Sequence, residues 1–568
     1  MPIPVRRPTT RRAPLRVAAV AVLVIGLLGP AAATSGSTIA TFVPIGAGYA
    51  TDTLEQFAAE AAEVDTSGNV SILVLPITYG IDPLAMGPGE RKKNLTLADG
   101  RRSQVHDACL AVIPAGETCE TVLAPVLVRD DAFDPANVAL VTPGLDGIYI
   151  LGGDQVVAMQ VVANTPFEEA LASAQAAGAV TSGNSAGAAV QSTDMIAGYV
   201  GNNGPEQGFE QGAVDLWTYD GPTDETRGLV FGLNDVLLDQ HVLQRGRIAR
   251  LISTSYAAGE LGIGLDADTA ATIEAGTNLT EVGGLSAAFV ADSLTYSALG
   301  QFDGSGTLSI HGVATHVLPP GDAYDLAARQ PIVGGSPVAA PDLAGRTFPA
   351  VATPAGSGRL ILGGGRPSSA VLDRLVAASG GPGSGIVVLA VGYAKSADAA
   401  KDAKAISATA ATSGASASWF VVDANAKTAQ LLAAIAGADG IVLTAPDPST
   451  VLASLAAAGP IRDAVEDAWR GGAALLANDA AASAIGRSFT SDPRPGTSIG
   501  SIEAAAIAEF RPDSTTVVAG LGWVDAAVEP GIVSNRHWGR AYNLLAAQDT
   551  ADRLVFGIDA GTAIEFDA

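Results

Sequence analysis

Short apolar runs alternate with Ala- and Leu-rich stretches along most of this chain of 568 residues. This alternation limits the possible folds more than any other feature of the sequence. The runs at 70–75, 148–151 and 386–389 have the length of strands and carry no polar alternation, which is typical of strands buried on both faces. The sequence therefore predicts an α/β protein of βαβ units, with mostly parallel sheets and helices on both faces.

The two halves of the sequence resemble each other. The segment DGIYIL at 146–151 matches DGIVLT at 439–444, and GLDA at 264–267 matches GIDA at 557–560. The same alignment pairs Asn184 with Asn478 and His241 with His537. Between the halves lies a stretch rich in Pro, Gly and Ala, without helix or strand periodicity. The sequence thus predicts a tandem duplication, with copies at 39–329 and 359–568 and a linker at 330–358.

The N-terminus has the three parts of a signal peptide, predicted at 1–33. An apolar stretch at 17–28 precedes three alanines at 31–33 that suit cleavage, and it follows a group of arginines: Arg6, Arg7, Arg11, Arg12 and Arg16. A bilayer span takes about 20 apolar residues, so we expect no stable membrane span. We expect a secreted or periplasmic protein, exported by the general or the twin-arginine route.

Charge and cysteine content narrow the function classes further. The formal net charge is −26, whereas nucleic-acid binding needs a basic face, so we expect no nucleic-acid partner. Cys109 and Cys119 are the two cysteines, and in an exported protein such a pair predicts a disulfide. No cluster of His and Cys has the spacing of a metal site, and we expect no metal.

The strongest local motif is the sequence Gly183-Asn184-Ser185-Ala186-Gly187. It follows an apolar run and precedes a helix-like AAV segment. A Gly-x-Ser-x-Gly sequence between a strand and a helix is typical of a nucleophile elbow, a sharp turn that exposes the Ser hydroxyl. In a chain with 66 glycines, a chance match to this motif is the alternative.

Two further segments carry polar groups suited to a substrate site. Gly152-Gly153-Asp154-Gln155 directly follows a predicted strand, at the strand end where open α/β sheets bind ligands. Asp239-Gln240-His241 precedes three arginines at Arg245, Arg247 and Arg250. His241 could equally be a structural histidine, and the arginines could form salt bridges on a helix.

Together these motifs, in this order and followed by GLDADTA at 264–270, resemble the cyanophycinase family of serine peptidases, a group that includes aspartyl dipeptidase. The resemblance covers about residues 39–330 and, faintly, the second copy. It implies flavodoxin-like or class I glutamine-amidotransferase-like three-layer sandwiches. It also implies a polypeptide substrate, cyanophycin (multi-L-arginyl-poly-L-aspartate), cleaved to β-Asp-Arg dipeptides without a metal or organic cofactor.

The resemblance also assigns roles to individual residues. Ser185 would be the nucleophile and His241 the general base, with the backbone N–H groups of Ala186 and Gly153 in the oxyanion hole. The substrate pocket would be lined by Gln155, Asp239, Gln240, Arg245, Arg247 and Arg250. The family usually has Glu where this chain has Ala267, so the acid of the triad would be Asp268, with Asp266 as the alternative.

The second copy has lost these motifs. Its elbow reads Ala477-Asn478-Asp479-Ala480-Ala481, with Asp in place of Ser, and Asn535-Arg536 precedes His537. We expect a catalytically silent half that packs against the first and stabilises it. The sequence leaves two other functions open: a peptidase or esterase that acts on another acidic substrate, and a non-catalytic binding protein. It also leaves open whether the protein forms a homodimer.

Overall fold

The structure is a computed structural model, and it describes residues 39–221, 223–342, 351, 353–423, 428–491, 498–510, 515–548 and 553–566. The predicted signal peptide at 1–33 lies outside these residues. None of the helices in the described ranges is both long and apolar enough to cross a membrane.

The N-terminal half, defined here as residues 39–342, contains eighteen strands and seven helices. Its strands are β1 Thr41–Ile45, β2 Asn69–Leu75, β3 Thr118–Leu123, β4 Gly147–Ile150, β5 Val180–Asn184, β6 Met195–Tyr199, β7 Val214–Trp217, β8 Val236–Gln240, β9 Leu261–Leu265, β10 Thr269–Glu274, β11 Asn278–Gly284, β12 Ala288–Asp292, β13 Leu299–Phe302, β14 Leu308–His311, β15 Ala314–Leu318, β16 Ala323–Asp325, β17 Gln330–Val333 and β18 Ser336–Pro337. Its helices are α1 Thr51–Val64, α2 Pro88–Val112, α3 Pro135–Val138, α4 Gln155–Val162, α5 Pro166–Ala176, α6 Ala186–Ala189 and α7 Ile248–Ala258. Two 3₁₀ turns, Arg129–Phe133 and Pro205–Gln207, complete the set.

The main sheet of this half has the strand order β18-β17-β16-β11-β10-β1-β5-β4-β2-β3. The five strands from β1 to β3 are parallel, whereas β10 and the strands beyond it pair antiparallel. The expectation of a mostly parallel sheet is therefore wrong for this half. Part of the physical reason is that short hairpin loops join β10 to β11, β16 to β17 and β17 to β18, and such loops allow only antiparallel pairing.

Helices cover both faces of the parallel part. Val70, Ile72 and Val74 of β2 pack towards α1 and α2, and the alternate residues Leu73 and Leu75 pack towards α4 and α5. Because side chains alternate along a strand, a continuous apolar run is needed to fill both cores. This is the pattern from which the sequence predicts an α/β fold.

A second sheet holds the segment that follows β8. Its order is β15-β12-β9-β8, and β8 runs parallel to β9. Helix α7 packs on this sheet through Ile248, Leu251 and Ile252. The loop between β8 and α7 thereby lies at the carboxyl end of β8, close to the end of β5.

The C-terminal half, defined here as residues 351–566, contains ten strands and eight helices in its described ranges. The strands are β19 Leu360–Gly363, β20 Gly385–Val391, β21 Ser416–Val422, β22 Gly440–Ala445, β23 Ala474–Asp479, β24 Ser488–Thr490, β25 Val517–Ala519, β26 Ala527–Pro530, β27 Val555–Ile558 and β28 Ala563–Phe566. The helices are α8 Ser369–Ala378, α9 Ser396–Thr412, α10 Thr428–Ala436, α11 Pro448–Ala457, α12 Gly459–Arg470, α13 Ala480–Ile485, α14 Ile499–Ala508 and α15 Trp538–Ala546.

The main sheet of the C-terminal half has the order β21-β20-β22-β23-β19-β28. It is parallel apart from its edge pair of β19 and β28, as the sequence predicts. Its order corresponds strand for strand to β3-β2-β4-β5-β1-β10 of the N-terminal half.

The boundary between the halves differs from the prediction. The stretch expected to be linker from 330 onwards begins with β17 and β18, which extend the edge of the first sheet by pairing with β16 and with each other. Pro337 lies in the edge strand β18, where a missing backbone N–H is tolerated, and Pro331 lies in β17 beside it. The strand signal was hidden because edge strands need little apolar periodicity.

The predicted disulfide is present. Cys109, near the end of α2, is bonded to Cys119 of β3. The bond connects α2 to the edge strand of the first sheet, far along the chain from the elbow.

Candidate active site

The turn around Ser185 has the geometry of an elbow. Strand β5 ends at Asn184, Ser185 takes φ 54° and ψ −115°, and α6 begins at Ala186. A residue other than glycine in this region of φ/ψ space is strained. The flanking glycines are required for space, because a Cβ on Gly183 or Gly187 would lie 2.5 or 2.1 Å from the carbonyl oxygen of Ile150.

The elbow aims the Ser185 hydroxyl at a histidine. Ser185 Oγ lies 2.9 Å from His241 Nε2. His241 directly follows β8, is buried, and has φ 53°. Two strained residues at the carboxyl ends of two strands are thus brought within one hydrogen bond, which is the arrangement of a nucleophile and its general base.

The other ring nitrogen of His241 has a partner that the sequence analysis missed. Nδ1 lies 2.5 Å from Gln244 Oε1. Since an amide oxygen only accepts, Nδ1 carries the proton and Nε2 is free to accept the serine proton. Gln244 follows His241 by three residues in the same loop, and this short separation is the signal from which the contact could have been predicted.

The structure does not place the predicted acid at His241 Nδ1. The carboxylate of Asp266 accepts from the Gln244 backbone N–H at 2.7 Å and from Ser286 Oγ at 2.7 Å, so it braces the loop. The carboxylate of Asp268 lies against Gly48, where a Cβ would come within 2.0 Å of its Oδ1. Gln244 takes the place expected for Asp268 or Asp266, because the β8–α7 loop folds back over the imidazole.

Burial and charge set the protonation state of His241. Loss of solvent, and then the positive charge of Arg245, lower the pKa of His241 to about 3. The imidazole is therefore neutral over the whole physiological range, which is the form that a general base needs.

This lowered pKa predicts that the reactivity of Ser185 depends little on pH between pH 5 and pH 8. A histidine of ordinary pKa, about 6.5, would lose roughly 30-fold of its base form between pH 8 and pH 5. We expect the rate at which an uncharged fluorophosphonate labels Ser185 to change less than about 3-fold over that range, since His241 stays neutral throughout. An inflection near pH 6.5 would contradict the buried, neutral histidine. Arg245→Gln should move the inflection upwards by removing a neighbouring positive charge.

Two backbone amides can form an oxyanion hole. The side chain of Asn184 accepts the Gly152 N–H at 2.9 Å, which fixes the loop after β4 beside the elbow. The N–H groups of Gly153 and Ala186 have no acceptor within the described residues. The predicted donors are thus available, and that of Ala186 is at the N-terminus of α6.

Most of the polar residues predicted for the substrate pocket are engaged with the protein instead. Gln155 Nε2 donates to the carbonyl oxygens of Ile196 and Ala197, at 3.1 and 2.9 Å. Asp239 and Arg250 form a buried ion pair with two hydrogen bonds. Each therefore has its charge or amide nitrogen satisfied internally, and its contact with a substrate stays a prediction.

Arg247 and Arg245 are the cations nearest to the catalytic pair. Arg247 Nη1 donates to Oε1 and to the backbone oxygen of Gln240, at 2.7 and 2.9 Å, and burial followed by the charge of Arg250 lowers its pKa to about 9. The guanidinium of Arg245 makes no hydrogen bond or ion pair within the described part of the chain, although its backbone N–H donates to the carbonyl oxygen of His241 at 2.9 Å. Burial lowers the pKa of Arg245 as well, so an anion beside it would be stabilised.

A turn of similar backbone shape lies in the C-terminal half, with Asp479 at the position of the serine. Asp479 has φ 57° and ψ −135° between β23 and α13. Strand register pairs Asp239 with Gly264 and Glu529 with Gly557, so Gly531, with φ 65°, takes the position of His241. The sequence alignment of His241 with His537 is therefore wrong, because His537 caps α15 as Arg247 caps α7.

No group of three or more His, Cys, Asp or Glu side chains among the described residues is arranged to hold a metal ion.

Comparison with known proteins finds relatives of the segment that carries the elbow. Residues 135–209 match Peptidase family S51. The chain is 32% identical over 190 residues to a cyanophycinase of Geminocystis herdmanii, covering 33% of this chain and 65% of the relative. It is 36% identical over 187 residues to a cyanophycinase of Synechococcus elongatus, covering 32% of this chain and 54% of the relative. The matched segments thus span about half to two thirds of these relatives.

A solved peptidase from an acI-B1 Actinobacterium is 18% identical and aligns over 45% of this chain and 91% of its own, with a TM-score of 0.30. A score of this size carries no argument about the site. The sequence matches do, because residues 135–209 include the loop after β4 and the Ser185 elbow. The part of the chain that carries the elbow matches peptidase family S51 and is similar to the cyanophycinases.

Proposed function

We propose that the protein is a serine-type peptidase that hydrolyses cyanophycin to β-Asp-Arg dipeptides. The observation that carries this proposal is the 2.9 Å contact of Ser185 Oγ with His241 Nε2 at a strained elbow. The similarity to proteins named cyanophycinase supports the choice of substrate.

In the proposed reaction, Ser185 Oγ attacks the amide carbonyl carbon while its proton passes to His241 Nε2. The N–H groups of Ala186 and Gly153 stabilise the oxyanion. The C–N bond then breaks, the proton passes from His241 to the leaving nitrogen, and an acyl-enzyme remains on Ser185. A water molecule, deprotonated by His241, releases the acid product and restores the serine.

Arg245 supplies the charge for substrate recognition in this scheme. Cyanophycin carries carboxylates, and a guanidinium pairs with a carboxylate through two hydrogen bonds. Pairing would also neutralise the positive charge that lowers the pKa of His241. Bound substrate would thereby make the imidazole a stronger base at the moment when it must accept the serine proton.

The test is to mix the purified protein with cyanophycin granules and to identify the products by mass spectrometry. We expect β-Asp-Arg dipeptides, and labelling of Ser185 by a fluorophosphonate probe. Labelling without granule breakdown would show a serine hydrolase acting on another acidic peptide or ester. No labelling and no breakdown would show a non-catalytic binding protein and would contradict the proposal.

We further propose that the protein is exported, supported by the basic and apolar segments at 6–28 and the alanines at 31–33. N-terminal sequencing of the protein recovered from outside the cytoplasm should begin shortly after residue 33. An intact N-terminus there would contradict cleavage.

We also propose that the chain arose by tandem duplication and that the C-terminal copy does not turn over substrate. The common strand order of the two main sheets supports the duplication. The replacement of Ser185 by Asp479 and of His241 by Gly531 supports the loss of activity. A carboxylate at the elbow without a base beside it has no route to an acyl-enzyme.

A further inference from the structure

The base of the proposed reaction is held by a neutral side chain. His241 Nδ1 donates to Gln244 Oε1, whereas a conventional triad has a carboxylate at this place. A glutamine amide can present either its oxygen or its NH₂ group, and only the oxygen can accept from Nδ1–H. Something must therefore fix the orientation of the Gln244 amide, or the imidazole will lose the tautomer that catalysis needs.

The group behind this amide comes from the C-terminal half. Glu503, on α14, places its Oε2 3.5 Å from Gln244 Nε2, a long hydrogen bond across 259 residues of sequence. A carboxylate only accepts hydrogen bonds, so the amide NH₂ faces Glu503 and the amide oxygen faces His241. The negative charge of Glu503 also faces Arg245.

Arg536 holds the backbone of the same loop. Its Nη1 donates to the carbonyl oxygen of Gln244 at 2.6 Å and lies 3.6 Å from Glu503 Oε1. Its side chain covers Gly246, where a Cβ would lie 2.8 Å from Arg536 Cγ. On the other side, Asp266 accepts the Gln244 backbone N–H. The loop that carries the base is thus held from both halves of the chain.

We propose that Glu503 and Arg536 are positioning residues for the active site, so that the C-terminal half completes the catalytic apparatus. Glu503 orients the Gln244 amide, and Arg536 fixes the Gln244 backbone and the Glu503 carboxylate together. This inference rests on the proposed function, and it replaces the expectation that the second half contributes stability alone.

The test compares Glu503→Leu, which removes the acceptor, with Glu503→Gln, which keeps an amide oxygen that can accept from Gln244 Nε2. Tyr542→Phe is the matched control, because it breaks another hydrogen bond between the halves, Tyr542 to Thr315, without touching Gln244. One readout is the rate of fluorophosphonate labelling at Ser185. A second is the ¹⁵N NMR signal of the Nδ1–H of His241, assigned among the five histidines with a His241→Asn variant.

We expect Glu503→Leu to slow labelling by roughly 10- to 100-fold, in line with the cost of a misplaced catalytic group, and to broaden or remove the Nδ1–H signal. Glu503→Gln should keep the signal and stay within about 5-fold of the wild-type rate, and Tyr542→Phe should match the wild type in both. Rescue by the conservative variant distinguishes orientation from simple loosening of the two halves.

Three outcomes would overturn the inference. Glu503→Leu could label at the wild-type rate and keep the Nδ1–H signal, or Glu503→Gln could lose as much labelling rate and signal as Glu503→Leu. Tyr542→Phe could also lose as much of both as either Glu503 variant. If the wild-type protein is not labelled at all, the proposed hydrolase function fails. The Nδ1–H signal still tests the role of Glu503 in that case, since it reports the histidine contact without turnover.

Discussion

The Ser185→Ala variant should fold like the wild type and lose turnover by at least about 10⁴-fold. The reason is that in the proposed mechanism the acyl-enzyme forms on Ser185 Oγ, 2.9 Å from His241 Nε2, and among the described residues no second nucleophile lies at this elbow. The measurement is release of soluble dipeptide from cyanophycin, together with loss of fluorophosphonate labelling. Activity within 100-fold of the wild type would show that the nucleophile lies elsewhere.

A second substitution at this position separates activity from stability. Ser185 has φ 54° and ψ −115°, a strained conformation that costs of order 1–3 kcal/mol for a residue other than glycine. Ser185→Gly should therefore be as inactive as Ser185→Ala but melt at a higher temperature. Asp479→Ala, at the corresponding elbow of the C-terminal half, is the control and should leave turnover unchanged.

The Asp239→Asn variant should lose about 3–5 kcal/mol of unfolding free energy, measured by urea denaturation at pH 7. Asp239 and Arg250 pair through two hydrogen bonds with side chains only 1% and 2% exposed. Removing the carboxylate charge leaves the buried guanidinium of Arg250 without its counter-charge, although the ring of Tyr199 lies 4.9 Å away. Because His241 follows Asp239 by two residues, we also expect slower labelling of Ser185.

A matched ion pair in the same half distinguishes the two effects of this change. Glu168 and Arg227 are equally buried and paired at 2.6 and 2.8 Å, but they lie away from the elbow. Glu168→Gln should cost a similar free energy while the folded fraction labels at the wild-type rate. If Asp239→Asn leaves stability unchanged, the pair is not structural, and the earlier expectation of substrate contact regains its support.

The fold class followed from local patterns that do not depend on distant contacts. An apolar run such as that of β2 fills the cores on both sides of the sheet, so it indicates a sheet with helices on both faces. The antiparallel part of this sheet escaped the same reasoning, in part because its outer strands β16, β17 and β18 have only 3, 4 and 2 residues. The linker boundary was misplaced for the same reason, with Pro331 and Pro337 counted as breaks.

The alignment of the halves shows where sequence matching fails. Matching histidine to histidine paired His241 with His537, but the register of β8 with β9 and of β26 with β27 pairs His241 with Gly531. The two positions correspond in backbone conformation, since His241 and Gly531 both have positive φ. A glycine can replace a strained histidine without changing the turn, so identity of residue type was a poor guide.

By itself, the sequence determined the strand–elbow–helix at Ser185, singled out His241 and the Cys109–Cys119 pair, and indicated an α/β chain in two similar halves. These features depend on neighbours in sequence, through backbone strain, glycine space and apolar periodicity. Only the tertiary structure decided that Gln244 holds His241, that Asp239 and Arg250 satisfy each other, and that Glu503 and Arg536 reach the loop from the other half. Those partners are chosen by which side chains meet when segments up to 292 residues apart are packed together, and no local pattern records that choice.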